Sequence, residues 1–296
     1  MDILNRLNEA RKKGKPVFWD GAMGTQLIAR GLSGQAPELW NLEKPEIIKE
    51  IHRDYVLAGS DVIQTNTFGG NRLKLKSAGL DSKLYQINLN AVKIAREAAQ
   101  EKALVAGDIG PTGEMMAPMG NLTPEQAEEI FREQAEILAE AGVDLFSIET
   151  MFDLEEIKSA IRALKSSAPE IPIAAEMTFK KTSRGFFSIM GVSPEKAIPE
   201  MIKAGADIVG ANCSIGPGEM VELVKIIKSV SDKPVLAQAN AGEPKLVDAR
   251  EVYGVSAEEF AGFARAIFDA GADAIGACCG SSPEFIKRIR EKFQDA

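Results

Sequence analysis

The sequence predicts a single (β/α)8 barrel over residues 1–296, and three observations carry that expectation. The first is a phrase that returns four times: a helix end in Ala-Gly, one further residue, an Asp, then an apolar run. It stands as Ala58-Gly59-Ser60-Asp61-Val62-Ile63, Ala141-Gly142-Val143-Asp144-Leu145-Phe146, Ala204-Gly205-Ala206-Asp207-Ile208-Val209 and Ala270-Gly271-Ala272-Asp273-Ala274-Ile275. The glycine supplies the left-handed residue that closes a helix. The unbroken apolar run suits a strand buried on both faces of a parallel sheet. The second observation is that four more such runs, at residues 17–20, 103–107, 173–177 and 235–240, fit between these and bring the strands to eight. The third is the helix starts between them: Thr123-Pro124-Glu125-Gln126, Ser193-Pro194-Glu195, Ser282-Pro283-Glu284 and Ser256 with Glu259. In each, a hydroxyl is expected to accept a backbone N–H of the first turn, with Pro tolerated at the first helical position. An open doubly wound sheet is the competing architecture, but no G-x-G-x-x-G follows the first strand.

The remaining composition narrows the function classes. At 45% hydrophobic residues the chain has ample material for a large core. A net charge of -8 argues against nucleic acid or an anionic membrane as the main partner. No run approaches the ~20 apolar residues of a membrane span. Residues 1–15 alternate charge with Ile3, Leu4 and Leu7, which reads as a short amphipathic helix rather than a signal peptide. The expected compartment is therefore the cytoplasm, where disulfides are disfavoured. The only histidine, His52, lies mid-helix and is assigned to the surface or to helix packing, with no catalytic role. Trp19, Phe68 and Phe146 are assigned to the barrel core. The long connections at residues 114–121 and 180–192 follow strands 3 and 5, on the face where barrel enzymes carry their chemistry. Met115, Met116 and Met119 in the first of these fit either a donor entrance or a mobile apolar loop.

All three cysteines fall at C-terminal strand ends: Cys213 after strand 6, Cys278 and Cys279 after strand 8. Only strand 7 separates those two strands in a barrel, so three thiols can converge. Three thiolates suit Zn2+ and leave its fourth position open, as in a catalytic site. Such a site is a poor activator of water. It is well suited to holding a substrate thiol as a thiolate that still attacks an alkyl group. The bland reading of any one of them is a small buried hydrophobe. A structural zinc site is a further alternative, although C-x-x-C pairs are absent.

These residues resemble the homocysteine S-methyltransferase family over nearly the whole chain. The matching stretches are Asp20-Gly21-Ala22-Met23-Gly24-Thr25, Gln64-Thr65-Asn66-Thr67-Phe68, Gly110-Pro111-Thr112, Ile148-Glu149-Thr150, Gly210-Ala211-Asn212-Cys213, Asn240-Ala241-Gly242 and Gly276-Ala277-Cys278-Cys279-Gly280. The wording is nearest to the homocysteine-binding domain of cobalamin-dependent methionine synthase. The resemblance implies zinc on Cys213, Cys278 and Cys279, with homocysteine thiolate as fourth ligand, and Asp20, Glu149 and Thr65 around the substrate. Carboxylates at strand ends are chemically apt for an ammonium group, and the small turn at residues 21–25 offers N–H groups to a carboxylate. Where the betaine-dependent members carry a metal-contacting Tyr, this chain has Gly69, which leaves Asn240 as the candidate oxygen ligand of the resting site. A corrinoid-binding Asp-x-His-x-x-Gly is absent. The implied methyl donor is thus a methylcorrinoid partner protein, with methylcobalamin reached only through it, or a small donor such as S-methylmethionine. A barrel with structural zinc and a zinc hydrolase using Glu149 as base are the readings from other classes.

Overall fold

The computed structural model describes residues 2–34, 36–247 and 250–294. Its barrel strands are β1 (Val17–Phe18), β2 (Val62–Gln64), β3 (Leu104–Ile109), β4 (Leu145–Met151), β5 (Ile173–Met177), β6 (Ile208–Asn212), β7 (Val235–Ala239) and β8 (Ala274–Ala277). Every neighbouring pair from β2 to β8, and β8 with β1, is parallel. A parallel bridge between Trp19 and Val62 joins the first strand to the second and closes the ring. β1 is regular over two residues only; beyond it, the Asp20 carbonyl still accepts a bond from Ala277 N at 3.0 Å.

The fourfold phrase has a physical explanation. The glycines at 59, 142, 205 and 271 all have positive φ, as a left-handed helix end requires. Each following aspartate reaches across to the preceding strand. Asp61 accepts from Phe18 N (3.0 Å), Asp144 from Val105 N (2.7 Å), Asp207 from Ile173 N (3.0 Å) and Asp273 from Val235 N (2.9 Å). Strands are thereby stapled in pairs at the N-terminal rim.

Strands buried on both faces account for two of the three hydrophobic clusters among the described residues. One lies between the sheet and the helices. The other fills the lumen: Val17, Val62, Ala106, Leu145, Ala174, Ile208, Leu236 and Ala274 pack against Ile3, Leu7 and Ala10 of the N-terminal helix Ile3–Lys12, which plugs the base. That helix, capped by Asp2 accepting from Asn5 N at 2.9 Å, is the amphipathic element expected from the sequence. Two residues further along each strand the same alternation brings Gln64, Asp108, Ser147, Glu176 and Gln238 inward, with glycine at 210 and 276.

Three local expectations need correction. Thr123 forms a full capping box with Gln126, and Ser256 accepts from Glu259 N at 3.3 Å. Ser193 and Ser282 take extended N-cap backbone but make no side-chain cap bond; proline at the next position has already removed one free N–H. Phe68 is half-buried and lies over Gly110, where an added Cβ would meet its ring at 2.5 Å, whereas Trp19 and Phe146 are fully buried. Met116 is buried while Met115 and Met119 are exposed. His52 is buried in the helix Pro45–Ala58, a packing position, and burial lowers its pKa to about 4. Among the described residues, no helix is long and apolar enough to cross a membrane.

Candidate metal centre and substrate pocket

Strand β7 sets the cysteines. Gln238 O accepts from Cys213 N (3.0 Å) and Ala239 O from Cys278 N (2.7 Å), so the sheet's own bonds carry both flanking strands up to the thiols. Cys213 and Ser214 then turn the chain in the left-handed region, with φ of 60° and 63°. The sulfurs of Cys213 and Cys279 lie 3.9 Å apart and those of Cys278 and Cys279 4.0 Å, with all three within 4.8 Å of one another. Tetrahedral ligands at ~2.3 Å from zinc stand about 3.8 Å apart. The triangle is therefore already the size such an ion needs, and its donors are the soft sulfurs that zinc prefers.

The protonation pattern agrees. Hydrogen bonds from Cys278 and Cys279 lower the Cys213 pKa to about 3. The Cys213 sulfur in turn pushes Cys279 up to about 12 and Cys278 well above the ordinary thiol range. Three thiols this close carry one negative charge comfortably and not three. A bound cation is what permits the full set of thiolates.

Two cavities meet at this cluster. The inner one, about 50 Å³, is lined by Asp20, Gln64, Thr65, Asp108, Glu149, Gln238 and Cys278, among others. The outer one, about 510 Å³, is lined by Cys213, Cys279, Asn240, Lys180, Glu243 and Tyr253, among others. Two antiparallel hairpins border it: Lys180–Thr182 with Gly185–Phe187, and Pro244–Val247 with Arg250–Tyr253. Neither hairpin was anticipated from the sequence; the first falls in the long connection at residues 180–192.

Each predicted site residue is found at one of these cavities. Asp20 accepts from Gln64 N at 2.8 Å through Oδ2, while its buried Oδ1 has no donor among the described residues. Burial first, and then the Glu149 charge, push its carboxyl well above the usual range. Glu149 keeps an edge open to the inner cavity, and burial followed by the Cys213 charge raises it to about 7. Thr65 accepts from Asp108 N (3.0 Å) and contacts Thr67 Oγ1 (2.6 Å). Thr67 donates its own proton to Asp108 O (2.7 Å), so the Thr65 proton goes to Thr67 and only a lone pair is left for a ligand. Asn240 bonds the Cys213 sulfur through its side chain, and its buried Oδ1 has no donor among the described residues. In the turn after β1, Ala22 N is already taken by Ser281 Oγ at 3.0 Å, which leaves fewer N–H groups for a carboxylate than the sequence suggested.

Residues 17–293 match the family described as homocysteine S-methyltransferase. The chain belongs to that family. Relatives include the methionine synthase of Mycobacterium tuberculosis, 31% identical over 307 residues covering 97% of this chain, and the zebrafish (Danio rerio) betaine–homocysteine S-methyltransferase 1, 31% identical over 315 residues covering 98% of this chain and 75% of the relative. The chain spans about a quarter of the length of the methionine synthases it matches (25%). The metallated form of the Escherichia coli homocysteine methyltransferase MmuM shares the fold at a TM-score of 0.79 and 24% identity, covering 97% of this chain and 99% of that one.

Sequence reasoning missed several polar residues of this family member's mouth. Asp108 and Glu176 are buried inward carboxyls, with Asp108 Oδ1 and both Glu176 oxygens unpartnered among the described residues. Gln64 and Gln238 stand in the same layer. The available signal was the two-residue alternation, which puts positions 108 and 176 on the lumen side once the register of the apolar residues beneath them is known.

Proposed function

We propose that this barrel transfers a methyl group to the thiol of homocysteine, giving methionine, with zinc held by Cys213, Cys278 and Cys279. The observation that carries the reading is the position of the thiol cluster as the partition between two cavities. Cys278 opens to the acid-lined inner pocket, and Cys213 and Cys279 open to the outer chamber. A substrate thiol entering from one side and a methyl donor from the other meet at the same sulfurs. A purely structural ion would instead be closed off from both. When bound, zinc supplies the positive charge that keeps a substrate sulfur deprotonated near neutral pH, where a free thiol of pKa about 8.5 is mostly protonated.

The chain's own residues do the rest. Asp20 and Glu149 receive the substrate ammonium, with the Asp20 Oδ1 acceptor still unused. Their raised pKa values mark carboxyls short of positive charge, which an ammonium group supplies. Thr65 offers one lone pair to the same group. Asn240 Oδ1 is the displaceable oxygen ligand of the resting site. The outer chamber takes the donor, either a small molecule such as S-methylmethionine or a methylcorrinoid protein that brings methylcobalamin to the mouth. Residues 1–296 act as one homocysteine-binding unit. Three free thiols suit a reducing compartment such as the cytoplasm.

X-ray absorption at the zinc edge tests the mechanism. The expected count is three sulfurs without homocysteine and four with it, accompanied by release of about one proton per site at pH 7. Three sulfurs in both states would rule out direct activation of the substrate thiol.

A further inference from the structure

The Glu149 carboxylate does not hold its own direction. Asn212, the last residue of β6 and the neighbour of Cys213, is fully buried. Its Nδ2 donates to Glu149 Oε2 at 2.9 Å and to Thr150 Oγ1 at 2.8 Å, and its Oδ1 accepts from Thr150 N at 2.8 Å. The same nitrogen lies 4.0 Å from the Cys278 sulfur. Thr150 has a φ of 58°, a left-handed conformation that a β-branched residue adopts only under constraint. The Asn212 side chain grips that residue from both its N–H and its hydroxyl.

We propose that Asn212 is a positioning residue that couples recognition of the substrate's head group to the thiol cluster, by fastening Glu149 and the strained Thr150 to the strand that ends in Cys213. The inference rests on the activity proposed above. A primary amide is the side chain that meets all three demands, since its two protons serve Glu149 and Thr150 and its oxygen serves the Thr150 N–H. An aspartate lacks the protons and repels Glu149. A serine is too short to reach three partners. Because Asn212 is joined directly to Cys213, the acid that reads the ammonium and the sulfur beside the reacting thiol share one anchor. Such fixed groups bind in the productive geometry without being ordered at the time of binding.

The test uses metal-loaded full-length protein, wild type and Asn212→Ala, titrated with homocysteine and with 2-mercaptoethanol, a thiol that lacks the amino-acid head group. Homocysteine affinity should fall about 10- to 100-fold in the variant, the loss expected when a charged partner is no longer held. Metal stoichiometry and 2-mercaptoethanol affinity should stay within about threefold of wild type. Equal loss for both thiols, or loss of the metal, would show a general collapse of the mouth and overturn the proposal. In the Glu149→Gln background, Asn212→Ala should weaken homocysteine binding little further, whereas additive losses would also overturn it. Asn212→Ser, which keeps a hydroxyl but not the three-way grip, gives the same comparison should the alanine variant fail to fold. Wild-type protein that binds 2-mercaptoethanol but not homocysteine would overturn the proposed activity instead of the role of Asn212.

Discussion

Four aspartates at the base of the barrel and four acids in its mouth sit at opposite ends of one sheet and live in opposite circumstances. At the base, each carboxylate accepts a strand N–H and faces a cation: Asp61 with Arg6 (3.6 Å), Asp144 with Arg96 (2.7 Å), Asp207 with Lys165 (2.8 Å), and Asp273 with both Arg11 and Lys228. In the mouth, Asp20, Asp108, Glu149 and Glu176 make no ion pair among the described residues, and buried oxygens of three of them lack any donor. Burial is the leading cause that raises all four. The difference teaches where the molecule concentrates its stability. The base is satisfied and holds the ring together. The mouth keeps unmet hydrogen-bonding demand that a cationic substrate group can satisfy.

The division can be broken most severely at the thiols. Cys213→Ala, Cys278→Ala or Cys279→Ala should reduce zinc from about one per chain toward none and abolish methyl transfer, while far-ultraviolet circular dichroism keeps the barrel signature because the cores do not depend on the ion. Zinc retained in all three single variants, measured by elemental analysis, would remove the assignment. At the base the expected result is reversed. Asp273→Ala should lower unfolding stability by about 1.5–3 kcal/mol in a denaturant titration and leave metal content and transfer rate per folded molecule unchanged; a lost rate would mean that the two ends are not separable. The smallest effect distinguishes a satisfied acid from an unsatisfied one. Glu176 is raised by burial above its ordinary 4.5, so the folded state keeps a proton that the unfolded chain has released. By linkage its full contribution is present below pH 4.5 and is lost as pH rises toward the folded value. Glu176→Gln should therefore melt above wild type at about pH 8, with the gap closing toward about pH 5. A gap constant across that range would show that ionisation is not its cause.

Much of this was legible in the sequence, for reasons that differ by residue. The Ala-Gly-x-Asp phrase announces the strands because a helix end and a strand start have local chemistry. The cysteines were legible because each sits at the end of a strand, where position along the chain is enough to place a side chain on the catalytic face. Asp108 and Glu176 were not, because a single acid inside an apolar run points into or out of the barrel according to a register that no local residue displays. Asn212 was visible as part of a motif but without a role, since its partners are 62 and 63 residues away. Ser193 and Ser282 share the Ser/Thr-Pro-Glu start of Thr123, but Lys196 and Phe285 stand where Gln126 completes the capping box, and neither serine makes a side-chain cap bond.

The two glycines beneath the cysteines set a dimension. An added Cβ at Gly210 would lie 2.0 Å from the Leu236 carbonyl oxygen, and one at Gly276 would lie 2.7 Å from the Trp19 Cβ and 3.2 Å from Gln238 Cγ. A methyl group at either position must push a flanking strand away from its neighbours. Cys213 follows Gly210 by three residues and Cys278 follows Gly276 by two, so such a displacement is passed directly to the sulfur triangle. Missing side chains here act as spacers of zero thickness. The bore of the barrel just beneath the cysteines is the gauge to which the thiol cluster is cut.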